Sequence, residues 1–309
     1  MRIIFAGSPE IALPSLELLS TNHTVCAVLT NPDRPTGRGR GVQETAVSLA
    51  AKRLNLPLIK PARLGKQARE DIAAYEPEVL VVAAFGRFFG PKFLSIFPQG
   101  AVNLHPSLLP RYRGPSPIPA AILGGDAETG VTIQRLSLEM DSGDLLAQER
   151  IPLDGRETTA SLTERAAETG ARLLSEVLAN LSSVVPTPQS HEGVSYCKLI
   201  AKDDGIIDWR RSAIEIDRMV RAYNPWPEAQ TTFSGAGLHL LEATPFTGAC
   251  AASEAPGKVV GVDTQAGILV QTGDGVLAVK RLKLQSKKEL NWKDFLNGVH
   301  EFVGSVLGG

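Results

Sequence analysis

The sequence predicts an α/β protein in two parts: a doubly wound, mostly parallel sheet followed by a small antiparallel barrel. Three observations predict it. Short apolar runs first alternate with helix-period stretches, which is the pattern of βαβ units. The texture then changes to brief strands separated by glycine turns. Between the two lies Val185-Pro186-Thr187-Pro188-Gln189-Ser190-His191-Glu192-Gly193, whose prolines and polar side chains break regular structure. At 309 residues the chain can bury two cores, and we divide it into a domain over 1–184, a linker over 185–204 and a C-terminal domain over 205–309.

Residues 2–6 read as a buried strand, Gly7-Ser8-Pro9 as a turn, 10–20 as a helix and 25–29 as a second strand, a Rossmann-like opening. Pro9 stands where G-x-G-x-x-G needs its second glycine for a pyrophosphate to approach, which argues against nicotinamide or flavin binding. Helices over 47–54 and 68–75 and strands over 79–84 and 101–104 continue the alternation, and a strand pattern covers 131–138. A long helix over 161–181 opens on the capping box Ser161-x-x-Glu164. After a helix over 212–222, strands are expected over 229–233, 238–243, 257–263, 268–272 and 276–284, with Gly273-Asp274-Gly275 as a hairpin turn. Five short strands suggest an OB-like barrel, and a terminal helix over 292–303 covers one opening with Phe295, Leu296, Val299 and Phe302.

Composition is that of an ordinary globular protein, with 43% hydrophobic residues, 21% charged and a net charge of −1. No apolar run approaches the ~18 residues of a membrane span, and Met1-Arg2-Ile3-Ile4-Phe5 lacks a signal-peptide layout, so we expect a cytoplasmic protein with no membrane role. Cys26, Cys197 and Cys250 are too scattered for a disulfide framework or a zinc site and read as small buried hydrophobes. The near-neutral total hides two basic stretches. Residues 34–69 carry Arg34, Arg38, Arg40, Lys52, Arg53, Lys60, Arg63, Lys66 and Arg69 against Glu44 alone, and Lys280, Arg281, Lys283, Lys287, Lys288 and Lys293 face only Glu289. Each can attract phosphate, but for either stretch taken alone a solvated face is the favoured reading.

The chemistry centres on Asn103-Leu104-His105-Pro106-Ser107-Leu108-Leu109-Pro110 and the later Asp141-Ser142-Gly143. Strand alternation puts Asn103 and His105 on one side and Leu104 on the other, and Pro106 holds His105 extended. A carboxylate beside an imidazole favours its protonated form, so the trio can stabilise an oxyanion and relay a proton. With no G-x-S-x-G elbow, direct attack by the acceptor is the simpler mechanism. The same three residues can instead satisfy backbone groups, and spacing alone leaves both readings open. Asn224-Pro225-Trp226-Pro227 is similarly either a rigid packing corner or a base-stacking platform, with packing the favoured reading.

The run from Asn103 to Gly114 with Asp141-Ser142-Gly143 resembles the active site of the folate-dependent formyltransferases. Further agreement extends along the chain, in Phe5-Ala6-Gly7-Ser8-Pro9, Asn31-Pro32-Asp33-Arg34-Pro35, Gly114-Pro115-Ser116-Pro117, Arg221-Ala222-Tyr223-Asn224-Pro225-Trp226-Pro227 and Phe295-Leu296-Asn297-Gly298. The resemblance implies transfer of the formyl group of 10-formyltetrahydrofolate, a co-substrate, to the α-amino group of methionine on initiator tRNA, without a metal and without an obligate protein partner. It implies that Asn103 and His105 hold the oxyanion and that Asp141 supports His105. Ser107, Leu108, Leu109 and Pro110 would contact the folate, and the 82–90 loop, including Phe85 and Gly86, would help bury the pterin. Arg34, Arg38 and Arg40 resemble the family loop that enters the tRNA acceptor stem, and Lys287 and Lys288 would contact phosphates. One departure is visible: Ser286 stands where the family commonly has glycine. A formyltransferase or hydrolase for a small molecule, or a noncatalytic RNA-binding relative, are the alternatives; pairing of the arginine loop with the barrel favours tRNA.

Overall fold

In the computed structural model, residues 1–36, 41–248 and 254–308 are described. The chain forms two compact units: Met1–Pro117, Glu128–Pro152 and Thr163–Lys198 make one, and Ile118–Ala127, Leu153–Leu162 and Leu199–Gly309 the other.

The first unit runs β1 (Arg2–Gly7), α1 (Leu13–Asn22), β2 (Thr24–Leu29), a hairpin of β3 (Arg34–Thr36) and β4 (Gly41–Gln43), α2 (Ala46–Arg53), β5 (Leu58–Ile59), α3 (Lys66–Ala73), β6 (Val79–Ala83), α4 (Pro91–Leu94) and β7 (Ala101–His105). It continues through α5 (Pro117–Gly124), β8 (Glu128–Arg135), β9 (Leu145–Pro152) and α6 (Thr159–Ala179), of which α5 and α6 have residues in both units. Its sheet has the order β5-β2-β1-β6-β7-β8-β9. The pairs up to β6 and β7 are parallel, and β8 and β9 add an antiparallel edge. Both faces of the central strands are covered, which is why β6 and β7 are buried throughout. One face packs Ile4, Leu29, Ile72 and Leu80 against a ladder of Phe85, Phe89, Phe93 and Phe97, whose successive rings lie 5.2, 4.9 and 6.1 Å apart. Each buried ring contributes roughly 1.5–3 kcal/mol of transfer free energy.

The mostly parallel sheet is present, but β9 and the antiparallel pairing of β8 were not legible. Strand β9 is exposed or half-exposed at most positions, so it lacks the apolar run of its neighbours. Helix α6 begins one turn before the expected box. Thr158 Oγ1 accepts from Ser161 N at 3.2 Å and Ser161 Oγ accepts from Thr158 N at 3.1 Å, a reciprocal cap in which serine takes the place of the acidic partner.

The second unit contains α7 (Ala213–Ala222), capped by Ser212 with Glu215, and β10 (Ala229–Phe233), β11 (Ala236–Pro245), β12 (Val259–Asp263), β13 (Gly267–Gln271), β14 (Val276–Leu284), β15 (Leu290–Asn291) and α8 (Trp292–Gly298). Its antiparallel sheet has the order β10-β11-β14-β13-β12, with β15 on β14. The two edges are joined by the chain's last turn: Gly304 N donates to Val259 O and Leu307 N to Gly257 O on the β12 side, while Gly308 N donates to Thr232 O of β10. Helix α8 ends at Gly298, short of the expected 303, because Val299 turns extended and carries Phe302 onto Phe233 and Phe295. Among the described residues, no helix is long and apolar enough to cross a membrane.

Candidate active site

The site is built on one face of β7 and β8. Register pairs Asn103 with Gln134 and His105 with Thr132, so four polar side chains project to the same side. Leu104 faces the other way, against Gly170 of α6, where an added Cβ would stand 2.5 Å from a Leu104 methyl. The 136–144 segment folds back over this face, so that the Asp141 carboxylate meets Asn103, His105 and Gln134 together.

Asn103 Nδ2 donates to Asp141 Oδ1 at 3.5 Å and Gln134 Nε2 to the same oxygen at 3.1 Å. Gly114 N donates to Oδ2 at 2.8 Å, and His105 Nδ1 lies 3.6 Å from Oδ2. The other ring nitrogen, Nε2, is 2.9 Å from the Tyr112 carbonyl oxygen; a carbonyl only accepts, so Nε2 carries a proton. His105 is only 4% exposed. Burial pushes its pKa below 6.5, opposed by the Asp141 charge and the Tyr112 carbonyl. The neutral imidazole therefore points the Nδ1 lone pair at a carboxylate, and a proton arriving at Nδ1 forms an ion pair in a dry setting.

Backbone geometry serves this arrangement. Asp141 and Tyr112 have φ of 49° and 57°, uncommon for residues with a Cβ. Gly143 has no room for a side chain, since an added Cβ would overlap the Arg135 carbonyl oxygen. Downstream of His105, Thr132 Oγ1 donates to Ser107 O at 2.6 Å and accepts from Leu109 N at 3.2 Å, and Gln148 Nε2 donates to Leu109 O at 2.8 Å. Ser107 Oγ donates to Arg111 O at 2.6 Å. Residues 107–110 are thus a fixed wall, with Leu108 and Pro110 half-buried along it.

Across the carboxyl ends of the parallel strands, Asn31 Nδ2 donates to Ser8 Oγ and to Phe85 O, both at 2.8 Å, tying together the loops after β1, β2 and β6. The Phe85 side chain lies in the core, so residue 85 faces the loop through its backbone alone. Gly86 has φ of 75°, and a Cβ there would meet nothing within 4 Å. Gly86 is thus an open position at the end of the sheet where ligands bind in such folds.

The basic stretches are less bare than composition implied. Lys60 Nζ donates to Asp33 Oδ1 at 2.8 Å and to Glu44 Oε2 at 2.9 Å; Lys52 binds Glu44 at 2.6 Å, and Arg53 pairs with Glu17. Lys52, Ser48 and Lys60 together lower the Glu44 pKa to about 2. Arg34 is exposed at the start of β3, while Arg38 and Arg40 lie outside the described residues. In the second unit Arg281 pairs with Glu289 and Lys283 with Glu228, whereas Lys287 and Lys288 are exposed on the turn after β14. Ser286 in that turn has φ of 64°, the region that favours glycine. Trp226 is 57% exposed, contrary to the packing-corner reading. Cys26 is buried as expected, Cys250 is outside the described residues, and Cys197 is half-buried with its sulfur accepting from Ser116 N at 3.3 Å.

Sequence reasoning did not find Gln134, Gln189, Ser195 or the Tyr112 carbonyl. Gln134 carried no clear signal, since it stands beside Arg135 in a strand that also holds Glu128, Thr129 and Thr132. Gln189 and Ser195 carried none, since they lie in the stretch read as a linker. Among the described residues, no group of three or more His, Cys, Asp or Glu is placed to hold a metal ion.

The first 178 residues match the formyl transferase family, and residues 199–300 match the formyl transferase C-terminal domain. The chain belongs to the formyl transferase family. Two curated relatives extend the likeness over the whole length. A methionyl-tRNA formyltransferase of Treponema denticola is 42% identical over 98% of both chains, and one of Roseiflexus sp. is 44% identical over 100% of this chain and 95% of that one. Among solved structures, HypX from Aquifex aeolicus in complex with tetrahydrofolic acid superposes with a TM-score of 0.65 at 21% identity, covering 98% of this chain. The formyl transferase described here spans 48% of the HypX chain, and the likeness is one of fold.

Proposed function

We propose that this formyl transferase moves the formyl group of 10-formyltetrahydrofolate to the α-amino group of methionyl initiator tRNA in the cytoplasm. The observation that carries the acceptor is full-length similarity, both domains included, to methionyl-tRNA formyltransferases. The chemistry rests on the buried grouping of Asn103, His105 and Asp141.

The formyl donor is a substrate that supplies an activated carbonyl. Asn103 Nδ2 and the His105 Nε2–H, now resting on the Tyr112 carbonyl, donate to the carbonyl oxygen as the amine attacks its carbon and the C=O electron pair moves onto oxygen. The His105–Asp141 pair takes the proton that the attacking nitrogen sheds, and returns one to the departing folate nitrogen as the C–N bond breaks. Ser107, Leu108, Leu109 and Pro110 wall the folate, with Gly86 and the residue 85 backbone across from them. Arg34, Arg38 and Arg40 engage the acceptor stem, and Lys287 and Lys288 contact phosphates without reading sequence.

Purified protein is expected to transfer labelled formyl from the folate donor to charged initiator tRNA and to discriminate against elongator methionyl-tRNA. Transfer confined to a nucleotide-linked amine would reject the reading. A second prediction concerns Lys60, which ties Asp33 and Glu44 at the two feet of the β3–β4 hairpin. Lys60→Met unties Asp33 from Glu44, which keeps only Lys52 and Ser48, so the KM for tRNA should rise about fivefold through lost preorganisation, with the KM for the folate donor unchanged. An unchanged tRNA KM would separate the clamp from acceptor binding.

A further inference from the structure

We propose that Gln189 is a positioning residue for formyl transfer, holding the turn that aims the Asp141 carboxylate at His105. The proposal rests on the reading above and concerns a segment, 187–197, that the sequence presents as a connector.

The Gln189 amide is used at both ends. Its Nε2 donates to the carbonyl oxygens of Asp141 and Gly143, each at 2.8 Å, bridging the two sides of Ser142. Its Oε1 accepts from Arg113 Nη2 at 2.7 Å and Nε at 3.1 Å. An arginine only donates, so Arg113 fixes which way the amide faces and commits Nε2 to the turn. That turn needs an external hold. Asp141 sits at φ of 49°, and its carboxylate must meet Gly114 N, Gln134 Nε2 and His105 Nδ1 at once. Gly143 beside it is pressed against the Arg135 carbonyl.

The same segment grips the other side of the imidazole. Thr187 and Leu145 exchange hydrogen bonds at 2.8 and 2.9 Å, pinning the segment's start. Ser195 Oγ accepts from Tyr112 N at 2.9 Å and Ser195 O accepts from Arg113 N at 2.9 Å. Cys197 N donates to Arg113 O at 2.8 Å. The Tyr112 carbonyl that receives His105 Nε2 is therefore held by one end of the strap, and the Asp141 turn by the other. His105 lies between two partners whose spacing the strap sets, and Gln189 is the member that reaches the carboxylate side.

The test uses the full-length protein, with Gln189→Met, which keeps length and apolar stem while removing both amide groups, and Gln189→Ala. We expect kcat for formyl transfer to fall about tenfold in both, with KM for tRNA and folate donor changed less than twofold, because misplacement rather than binding is at issue. A role in folding alone would not move the second readout, NMR titration of the His105 ring. Loosening Asp141 removes the charge that opposes burial, so the ring should titrate at lower pH in the variants than in wild type. Wild-type kcat together with an unmoved titration in Gln189→Met would overturn the proposal. If the wild type itself formylates no initiator tRNA, the functional reading fails, while the titration still decides whether Gln189 places the carboxylate.

Discussion

Replacing His105 or Asn103 by Ala is expected to lower kcat for formyl transfer on the order of 10²-fold or more, the cost of losing one preorganised donor to a developing oxyanion. KM should change little, because these donors are strengthened in the transition state and add little to ground-state binding. The effect is large because the site is dry. Both side chains are under a tenth exposed, and their partners are protein groups with fixed geometry. Combining the two changes should cost less than the sum of the separate effects, since they act on one oxygen. Steady-state kinetics with charged initiator tRNA measures this, and near-normal turnover in both single variants would sink the assignment.

Asp141→Asn keeps the shape of the side chain and removes its charge. We expect kcat to fall on the order of 10²-fold, the low end for loss of a positioned acid–base partner. The companion measurement is the His105 titration. Burial, the largest influence, holds this imidazole below 6.5, and Asp141 is the charge that opposes it. Removing the charge should carry the ring still lower. The sign extends to stability: the unfolded chain titrates its histidines near 6.5, so below that pH it binds more protons than the folded chain. The stability tied to His105 is present above about pH 6.5, is lost as pH falls from there, and levels off below the folded-state pKa. Asp141→Asn should widen that window toward acid, seen as a larger drop in the urea midpoint between pH 7.5 and pH 5. An upward shift of the His105 titration would contradict the placement of Asp141.

The antiparallel edge shows where reading the sequence stops. Strands β6 and β7 declare themselves because both faces are buried and every residue is apolar or small, save the two that carry chemistry. Strand β9 has one face in solvent and no comparable run, so its signal is weak. The same contrast holds within the site. Asn103 and His105 were legible from period-two alternation ending at Pro106, a local rule. Gln134 opposite Asn103 follows only once β7 and β8 are paired in register.

By itself the sequence determined the α/β order of the first unit, the strand-rich second unit, and two donors sharing one side of a strand end before a proline. These follow from side-chain period and backbone restriction, which act over a few residues. Only the tertiary structure decided that Asp141 returns over the sheet face, that the Tyr112 carbonyl takes the His105 Nε2–H, that Lys52 and Lys60 are neutralised by Glu44 and Asp33, and that a proline-rich connector bonds to the Asp141 turn. Several of these hydrogen bonds and ion pairs join residues far apart in the chain. No local pattern encodes them, because a hydrogen-bonding group records what it can donate or accept and leaves its partner to the fold.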